Sequence, residues 1–258
     1  MSTRAAAAPP LPPAKADYGI DAPKVVRHML RRGALIILLG AAIWFMNRSS
    51  AAGPGFALFC VLAVIGLGFV AAALFMRWSS QVGKLRVRDQ ILDALPWRGD
   101  EKVLDAGCGR GLFLIGAAKR ISKPAKATGV DIWSREDLAG NSAEAAMANA
   151  RAEGVADRVK IDTGDLQKLP YGASVFDTVV SSLAIHNLDE HDDREKAVRE
   201  MWRVVKPGGH LAIFDIAHTG VYLDVLKSAG AEVVRESGFS MLWGMPTTRW
   251  FIVRKPAA

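Results

Sequence analysis

Cysteine is scarce in this chain, and acidic residues are few in its first third. The 258 residues include only two cysteines, Cys60 and Cys108. Two cysteines cannot form a disulfide framework, which fits a protein in a reducing compartment. Residues 1–97 contain 11 Lys or Arg and 4 Asp or Glu, whereas residues 98–258 contain 22 of each. The formal charge of +7 therefore lies in the N-terminal third, and the neutral remainder lacks the basic face that nucleic-acid binding requires.

Charge is also absent from two long apolar runs. The first, Gly33–Met46, has 14 residues and the second, Ala51–Met76, has 26. Because Pro54 lies between two glycines, the second helix is expected to start near Gly55 and to rise about 33 Å, enough for a hydrocarbon core of ~30 Å. The first run rises only about 21 Å and spans a bilayer only if its helix extends at both ends. Residues 24–78 are therefore predicted to form a transmembrane helical hairpin.

The charges that flank this hairpin predict its orientation. Basic residues cluster in 24–32 before the first run and in 77–88 after the second, whereas the loop between the runs carries only Arg48. By the positive-inside rule, both ends of the hairpin and the domain that follows lie in the cytoplasm. A shallow re-entrant pair and a buried soluble hairpin are the alternatives. A cleaved signal peptide is disfavoured because the first run begins 32 residues into the chain.

The rest of the chain divides into three further parts. Residues 1–23 form a short segment whose Ala- and Pro-rich start is expected to be disordered, and residues 79–97 show the spacing of an amphipathic linker helix. Residues 98–258 alternate between apolar strands and helices, which predicts a doubly wound, mostly parallel sheet of seven strands. The strands are expected at 102–106, 127–132, 158–162, 176–183, 210–216, 231–236 and 247–254, and the helices near 111–121, 141–153, 191–205 and 219–229.

A glycine-rich turn follows the first of these strands, in the string VLDAGCGRG. Gly107, Gly109 and Gly111 allow a ligand to approach the main chain closely, and Asp131 ends the next strand, where a carboxylate suits the two hydroxyls of a ribose. These features predict a pocket for an adenosine-containing cofactor. The spacing is not that of a dinucleotide site, because Leu112 stands where the third glycine belongs, and the chain has no P-loop string.

The turn resembles motif I of the class I S-adenosylmethionine-dependent methyltransferases, in their small-molecule and lipid branch. Further landmarks follow in the order of that family: Asp131, then Asp165 in TGDLQKLPY, then RVVKPGGHLAIFD at 203–215. The resemblance covers roughly residues 84–255. It implies a Rossmann-like domain with an antiparallel last strand, and S-adenosyl-L-methionine as the cofactor.

The resemblance also implies roles for single residues. Asp105 and the main chain at Ala106 and Gly107 hold the methionine end, Asp131 accepts from the ribose, and Ile132 and Trp133 pack on adenine. Asp165 accepts from the adenine amino group and Leu166 offers its N–H. The full expected cofactor set is Asp105, Ala106, Gly107, Gly109, Gly111, Asp131, Ile132, Asp165, Leu166 and Ser182. As alternatives, Asp105 serves as a helix cap and Asp165 as a turn residue.

Groups for the chemistry are expected at the carboxyl ends of the fourth and fifth strands, beside the cofactor. His186 is the leading candidate for a general base, because imidazole suits proton transfer near neutrality. Asp215, at the end of the fifth strand, is the second candidate. A structural role for His186 is an equal alternative. No cluster has metal-ligand spacing, so no metal site is expected. Cys108 is expected to be a small turn residue and not a nucleophile.

Together these features predict a membrane-anchored methyltransferase acting on a hydrophobic small molecule or lipid, with no nucleic-acid partner. A non-catalytic cofactor-binding membrane scaffold and a protein methyltransferase are the alternatives. A fragment that lacks residues 1–78 is expected to remain soluble and to bind the cofactor.

Overall fold

The computed structural model describes residues 15–46, 53–134, 140–238, 242 and 248–257. The expected disorder before residue 15 and residues 47–52 of the predicted connecting loop, 47–55, lie outside these residues. The helices are α1 (Pro23–Met46), α2 (Pro54–Trp78), α3 (Lys84–Asp93), α4 (Leu112–Ala118), α5 (Ala143–Ala152), α6 (His191–Val204) and α7 (Thr219–Ser228). The strands are β1 (Val103–Ala106), β2 (Ala127–Asp131), β3 (Val159–Thr163), β4 (Phe176–Ser182), β5 (Val205–Asp215), β6 (Glu232–Glu236) and β7 (Arg249–Arg254).

The seven strands form one sheet in the order β3-β2-β1-β4-β5-β7-β6. The five strands from β3 to β5 pair in parallel, and β7 pairs antiparallel with both β5 and β6. Both the doubly wound fold and the antiparallel last strand that the family resemblance implies are confirmed. The strand order reverses between β1 and β4, so a crevice opens there at the carboxyl ends of the strands.

Apolar side chains bury both faces of this sheet. One cluster joins β4 and β5 to α6 and α7 through residues such as Met201, Leu211 and Tyr222. Another joins β1 and β2 to α4 and α5, and includes Leu114 and Ala150. All four residues of β1 are buried, including the acidic Asp105, so its sequence does not alternate between buried apolar and exposed polar residues.

The first two helices form a close antiparallel pair outside this sheet. A Cβ atom placed on Gly33 would lie 2.7 Å from the Gly66 carbonyl oxygen, and one on Gly66 would lie 2.7 Å from that of Gly33. The two backbones therefore touch where neither residue has a side chain. Both helices are long and apolar enough to cross a membrane, by length and composition, and Leu35, Leu38 and Val64 are among their exposed apolar side chains.

The second of these helices continues without a break into the domain. A π-helical stretch, Ser79–Gly83, links α2 to α3, so one helical rod runs from Pro54 to Asp93. One extra residue in a helical turn rotates the following face by about 100°. The predicted linker helix is therefore the end of a longer rod that carries α3 onto α4, where Arg88 and Leu92 cover Gly116.

Candidate cofactor site

A cavity lies at the carboxyl ends of β1 to β4, at the point where the strand order reverses. Eight residues of the expected cofactor set line it: Asp105, Gly107, Gly109, Asp131, Ile132, Asp165, Leu166 and Ser182. The structure therefore brings together side chains from four strand ends, as expected for a ligand site in a doubly wound sheet.

The turn after β1 forms the floor of this cavity. Gly107 has φ +77°, and its N–H donates to the Val130 carbonyl oxygen at 2.8 Å. A Cβ on Gly107 would lie 2.3 Å from the Cβ of Ala184, in the loop that follows β4. Both the backbone angle and the close approach therefore require glycine at this position.

Asp105 is almost fully buried beneath this turn, and its two carboxyl oxygens differ in their hydrogen bonding. Its Oδ2 accepts from the Leu114 N–H at 2.6 Å, which satisfies an N–H in the first turn of α4, so the helix-capping alternative is observed. Its Oδ1 is buried without a hydrogen-bond partner among the described residues. The pKa of the Asp105 carboxyl is raised to about 7, mainly by burial and also by the nearby Asp131 carboxylate, while the hydrogen bond from the Leu114 N–H acts in the opposite direction.

Asp131 holds the turn in place from the end of β2. Its Oδ2 accepts from the Gly109 N–H at 2.8 Å, and its Oδ1 accepts from the Trp133 N–H at 2.7 Å and the Asn141 amide at 3.2 Å. A carboxylate offers about four acceptor positions. Asp131 therefore fixes the glycine turn and keeps capacity for a further donor such as a ribose hydroxyl.

The residues expected around adenine differ in their placement. Ile132 lines the cavity and is 60% exposed, so an apolar ring would cover surface that water now reaches. The Trp133 indole instead donates to the Thr163 hydroxyl, and Trp133 is not among the described residues that line the cavity. Asp165 accepts from the Gln167 N–H at 2.8 Å, so the turn role proposed for it is observed beside its position on the cavity.

Two members of the expected set are not among the described residues that line the cavity. Ala106 is fully buried, and its carbonyl oxygen accepts from the Ser181 hydroxyl at 2.8 Å. Gly111 has φ +85° and begins α4. Both residues therefore belong to the structure of the turn and not to the cavity wall.

Sequence reasoning missed other residues of the cavity wall. Asn141 approaches from the segment before α5, and its Oδ1 is buried without a partner among the described residues. Tyr18, Asp21 and Lys84 line the wall from the N-terminal third. The motif spacing gives no signal for them, because they precede the glycine turn and reach it only through the fold.

Cys108 lies in the turn as expected of a small residue. Its side chain is buried, and burial raises the pKa of its thiol well above the usual value, with the Asp105 and Asp131 carboxylates adding to the rise. A thiol held protonated is a poor nucleophile. The expectation that Cys108 serves structure is therefore consistent with its surroundings.

His186 and Asp215 meet at the neighbouring strand ends. The His186 Nδ1 lies 2.5 Å from Asp215 Oδ1, and the His186 backbone N–H donates to Asp215 Oδ2 at 3.1 Å. Asp215 is 1% exposed and also accepts from the Ile216 N–H. A buried carboxylate on Nδ1 favours the tautomer whose basic nitrogen is Nε2. The two candidate residues therefore form one unit, next to the cavity-lining residues Ala184 and Asn187.

Comparison with known proteins identifies the domain that carries this site. Residues 104–213 match the model of a family described as methyltransferase domain. Residues 104–213 form a methyltransferase domain, and solved structures that share its fold include S-adenosylmethionine-dependent methyltransferases. This confirms the family and the cofactor that the motifs predict. The methyltransferase domain contains the glycine turn, Asp131, Asp165 and the His186 loop.

Curated relatives of this methyltransferase domain are named methyltransferases, and two of the three described here name a small molecule, a sterol or norajmaline. Methyltransferase GfsG of Streptomyces halstedii is 37% identical over 140 residues, covering 54% of this chain and 46% of the relative. Sterol 4-C-methyltransferase strm-1 of Caenorhabditis elegans is 37% identical over 119 residues, covering 46% and 32%. Norajmaline N-methyltransferase of Rauvolfia serpentina is 32% identical over 144 residues, covering 54% and 46%. The chain spans about half the length of these relatives, or less.

Solved structures share the fold of the methyltransferase domain. The cyclase SpnF superposes with a TM-score of 0.56 at 20% identity, covering 69% of this chain and 84% of its own. A methyltransferase from Aquifex aeolicus gives 0.53 at 18% identity, covering 71% and 97%. A cyclase and a methyltransferase on one fold show that the reaction has to be argued from the site.

The described residues fit S-adenosylmethionine. The cofactor has an ammonium group, ribose hydroxyls and an adenine amino group, all of them hydrogen-bond donors. The cavity offers two buried acceptors without partners among the described residues, Asp105 Oδ1 and Asn141 Oδ1. A buried polar atom without a partner is costly. A ligand rich in hydrogen-bond donors would therefore supply the partners that these two oxygens lack among the described residues.

Proposed function

We propose that the protein is a membrane-anchored methyltransferase that moves a methyl group from S-adenosylmethionine to a hydrophobic small molecule or lipid. The observation that carries the proposal is the cavity beside the glycine turn, whose wall contains Asp105 Oδ1 without a partner among the described residues. His186, held by Asp215, lies in sequence between the cavity-lining residues Ala184 and Asn187. When bound, S-adenosylmethionine supplies an activated methyl group on a sulfonium.

In this proposal the cavity residues bind and orient the cofactor. Asp105 receives the ammonium of the methionine end, Asp131 receives the ribose, and Ile132 covers adenine. Because methyl transfer is a direct displacement, alignment is the main contribution that the protein makes.

His186 is proposed to take the proton from an acceptor hydroxyl or carbon acid. Asp215 is the positioning residue, since it holds the ring through Nδ1 and would stabilise the imidazolium formed at that step. Leu183 and Leu188 line the cavity close to His186. These apolar side chains support a hydrophobic acceptor at this edge.

The hairpin is proposed to span the membrane with both ends in the cytoplasm. α1 rises about 36 Å and α2 about 38 Å, each sufficient for a ~30 Å hydrocarbon core. At one end of the pair Trp44 stacks on Phe59 at 5.5 Å, and at the other end Phe75 stacks on Trp78 at 5.8 Å. Aromatic side chains concentrate at membrane interfaces, and these two groups lie about 25 Å apart along α2.

The class of acceptor is supported by the relatives and by charge. Relatives carry the names of a sterol and an alkaloid methyltransferase, and residues 98–258 have no excess of basic residues. A lipid-soluble acceptor is also the one that a membrane hairpin brings closest to the cavity.

Incubation of the purified full chain with methyl-labelled cofactor and a membrane lipid extract tests the proposal. Label in an organic-soluble product, and none with Asp131→Ala, is the expected result. Label on added protein substrates instead would favour the protein-methyltransferase alternative. Tight cofactor binding without any labelled product would favour the non-catalytic scaffold.

A further inference from the structure

The chain just before α1 is packed against the methyltransferase domain. Residues 16–22 have no helix or strand of their own, yet the Tyr18 side chain is buried in the cluster that contains Cys108, Leu114 and Ala150. The Tyr18 hydroxyl donates to Glu153. We refer to residues 16–22 as the strap.

The strap is hydrogen-bonded to the glycine turn through one asparagine. The Asp17 N–H donates to Asn149 Oδ1, and Asn149 Nδ2 donates back to the Asp17 carbonyl oxygen, both at 2.8 Å. The same Nδ2 donates to the carbonyl oxygen of Arg110 at 2.9 Å, and the Arg110 guanidinium pairs with the Asp17 carboxylate. Any displacement of the strap therefore breaks contacts to the turn that forms the cavity floor.

Lys84, the first residue of α3, holds the other half of the strap. Its side chain is 3% exposed. Its ammonium donates to the carbonyl oxygens of Tyr18 and Gly19 at 3.0 Å, and to the Asp21 carboxylate at 3.2 Å. The Asp21 N–H donates to the Ser80 hydroxyl, in the π-helical stretch. A buried ammonium needs such hydrogen-bond acceptors. The strap therefore fixes the position of the Lys84 side chain, and Lys84 fixes the position of the strap.

The strap and Lys84 form one side of the cofactor cavity. Tyr18, Asp21 and Lys84 line it together with Asp105 and Gly109. The strap leads directly into α1 at Pro23, and Lys84 lies on the helical rod that begins with α2. Both legs of the hairpin therefore end in the wall of the cavity.

We propose that Lys84 is a positioning residue that holds the strap as a wall of the cofactor cavity and so couples the hairpin to cofactor retention. This inference rests on the proposed function for the identity of the ligand. It assigns a role at the site to a segment that lies outside the matched family region, residues 104–213.

Two substitutions on one helix test the coupling in the full chain. Lys84→Met removes the ammonium and keeps the length of the side chain. Arg86→Met is the matched control, because Arg86 is exposed and its guanidinium lies over the Trp78 ring, away from the strap. The measurements are the affinity and the dissociation rate of S-adenosylhomocysteine, with hydrogen exchange of the Gly19 and Asp21 amides.

For Lys84→Met we expect S-adenosylhomocysteine to dissociate faster by about tenfold or more, because the buried contacts that hold the strap are lost. Bound ligand should slow exchange of the strap amides in the wild type and in Arg86→Met, but not in Lys84→Met. A residue that only stabilises the fold would lower the melting temperature and leave this ligand-dependent protection unchanged.

Asp21→Asn provides a second variant if Lys84→Met does not fold. It retains the two carbonyl acceptors of Lys84, so a smaller change in the same direction is expected. Wild-type ligand affinity and strap protection in both Lys84→Met and Asp21→Asn would overturn the inference. Failure of the wild type to bind the ligand at all would instead overturn the proposed function, and this inference with it.

Discussion

At the residue scale, Asp105 has an observed structural role and a proposed role in cofactor binding. Its Oδ2 caps α4, while its Oδ1 is buried without a partner among the described residues. Because burial raises its pKa to about 7, the folded protein binds a proton more tightly than the unfolded chain. The stabilisation from this proton is complete below the unfolded pKa of about 4 and is lost as the pH rises through about 7.

The same pKa predicts how cofactor binding depends on pH. The ammonium of the ligand requires the carboxylate, so S-adenosylhomocysteine affinity should increase as the pH rises from about 6 to about 7.5, by up to about tenfold per unit below the pKa. Isothermal titration at several pH values measures this. Asp105→Asn keeps an acceptor for the Leu114 N–H and should remove the dependence. An equally steep dependence in that variant would assign it to another group.

The His186–Asp215 pair predicts a separate effect on the chemical step. His186→Gln should lower kcat by about 100-fold or more, the usual contribution of a general base, without weakening cofactor affinity. Asp215→Asn should change the shape of the pH–rate profile, because it alters the tautomer of the ring. Steady-state kinetics with the identified acceptor checks both. Undiminished kcat in His186→Gln would leave the histidine a structural role.

At the scale of elements, the hairpin depends on close backbone contact. Gly66→Ala would place a Cβ 2.6 Å from a side-chain carbon of Ile37 and 2.7 Å from the Gly33 carbonyl oxygen. We expect a loss of about 1–3 kcal/mol from overpacking, seen as a lower melting temperature of the full chain in detergent. Gly68→Ala is the control, since its Cβ would meet nothing within 4 Å. Equal effects of the two variants would contradict this packing.

The strand boundaries depend both on the local sequence pattern and on pairing with neighbouring strands. The core strands β1 to β4 begin and end close to the expected positions, because each contains apolar residues and is bounded by turns or loops. β5 begins at Val205, earlier than expected, and includes Pro207 to Gly209. Its pairing with β4 shifts register beyond Phe176, and Gly208 takes φ +77°. Pairing with neighbouring strands therefore extends β5 through residues whose composition favours a turn.

At the scale of the whole molecule, the contacts of the strap change which fragment we expect to bind the cofactor tightly. The fragment should include the strap as well as the methyltransferase domain. A fragment of residues 79–258 lacks Tyr18 and the partners of Lys84. Because the Asp21 N–H lies 3.1 Å from the Ser80 hydroxyl, we expect a short Gly-Ser linker to be able to replace residues 24–78. The linked chain that keeps the strap should bind S-adenosylhomocysteine about tenfold or more tightly than residues 79–258 alone. Equal affinities by isothermal titration would show that the strap does not contribute to cofactor binding.

The proposed orientation of the molecule is also testable. Lys227 is exposed on α7, whereas Cys108 is buried. In a Cys60→Ser background, a cysteine introduced by Lys227→Cys should react with a membrane-impermeant thiol reagent only in inside-out vesicles. Reaction in right-side-out vesicles would place the methyltransferase domain on the opposite face.

The sequence by itself determined the parallel sheet, the glycine turn and the cofactor class. These depend on local signals: apolar runs set the strands, and a turn needs glycines at a fixed spacing. Only the tertiary structure decided that Asp215 holds His186, that Ala106 and Gly111 belong to the structure of the turn and not to the cavity wall, and that Lys84 binds the strap 66 residues away. Tertiary packing brings together partners that are so distant in sequence. Neither a periodicity nor a motif predicts which carbonyl oxygens a buried ammonium will contact.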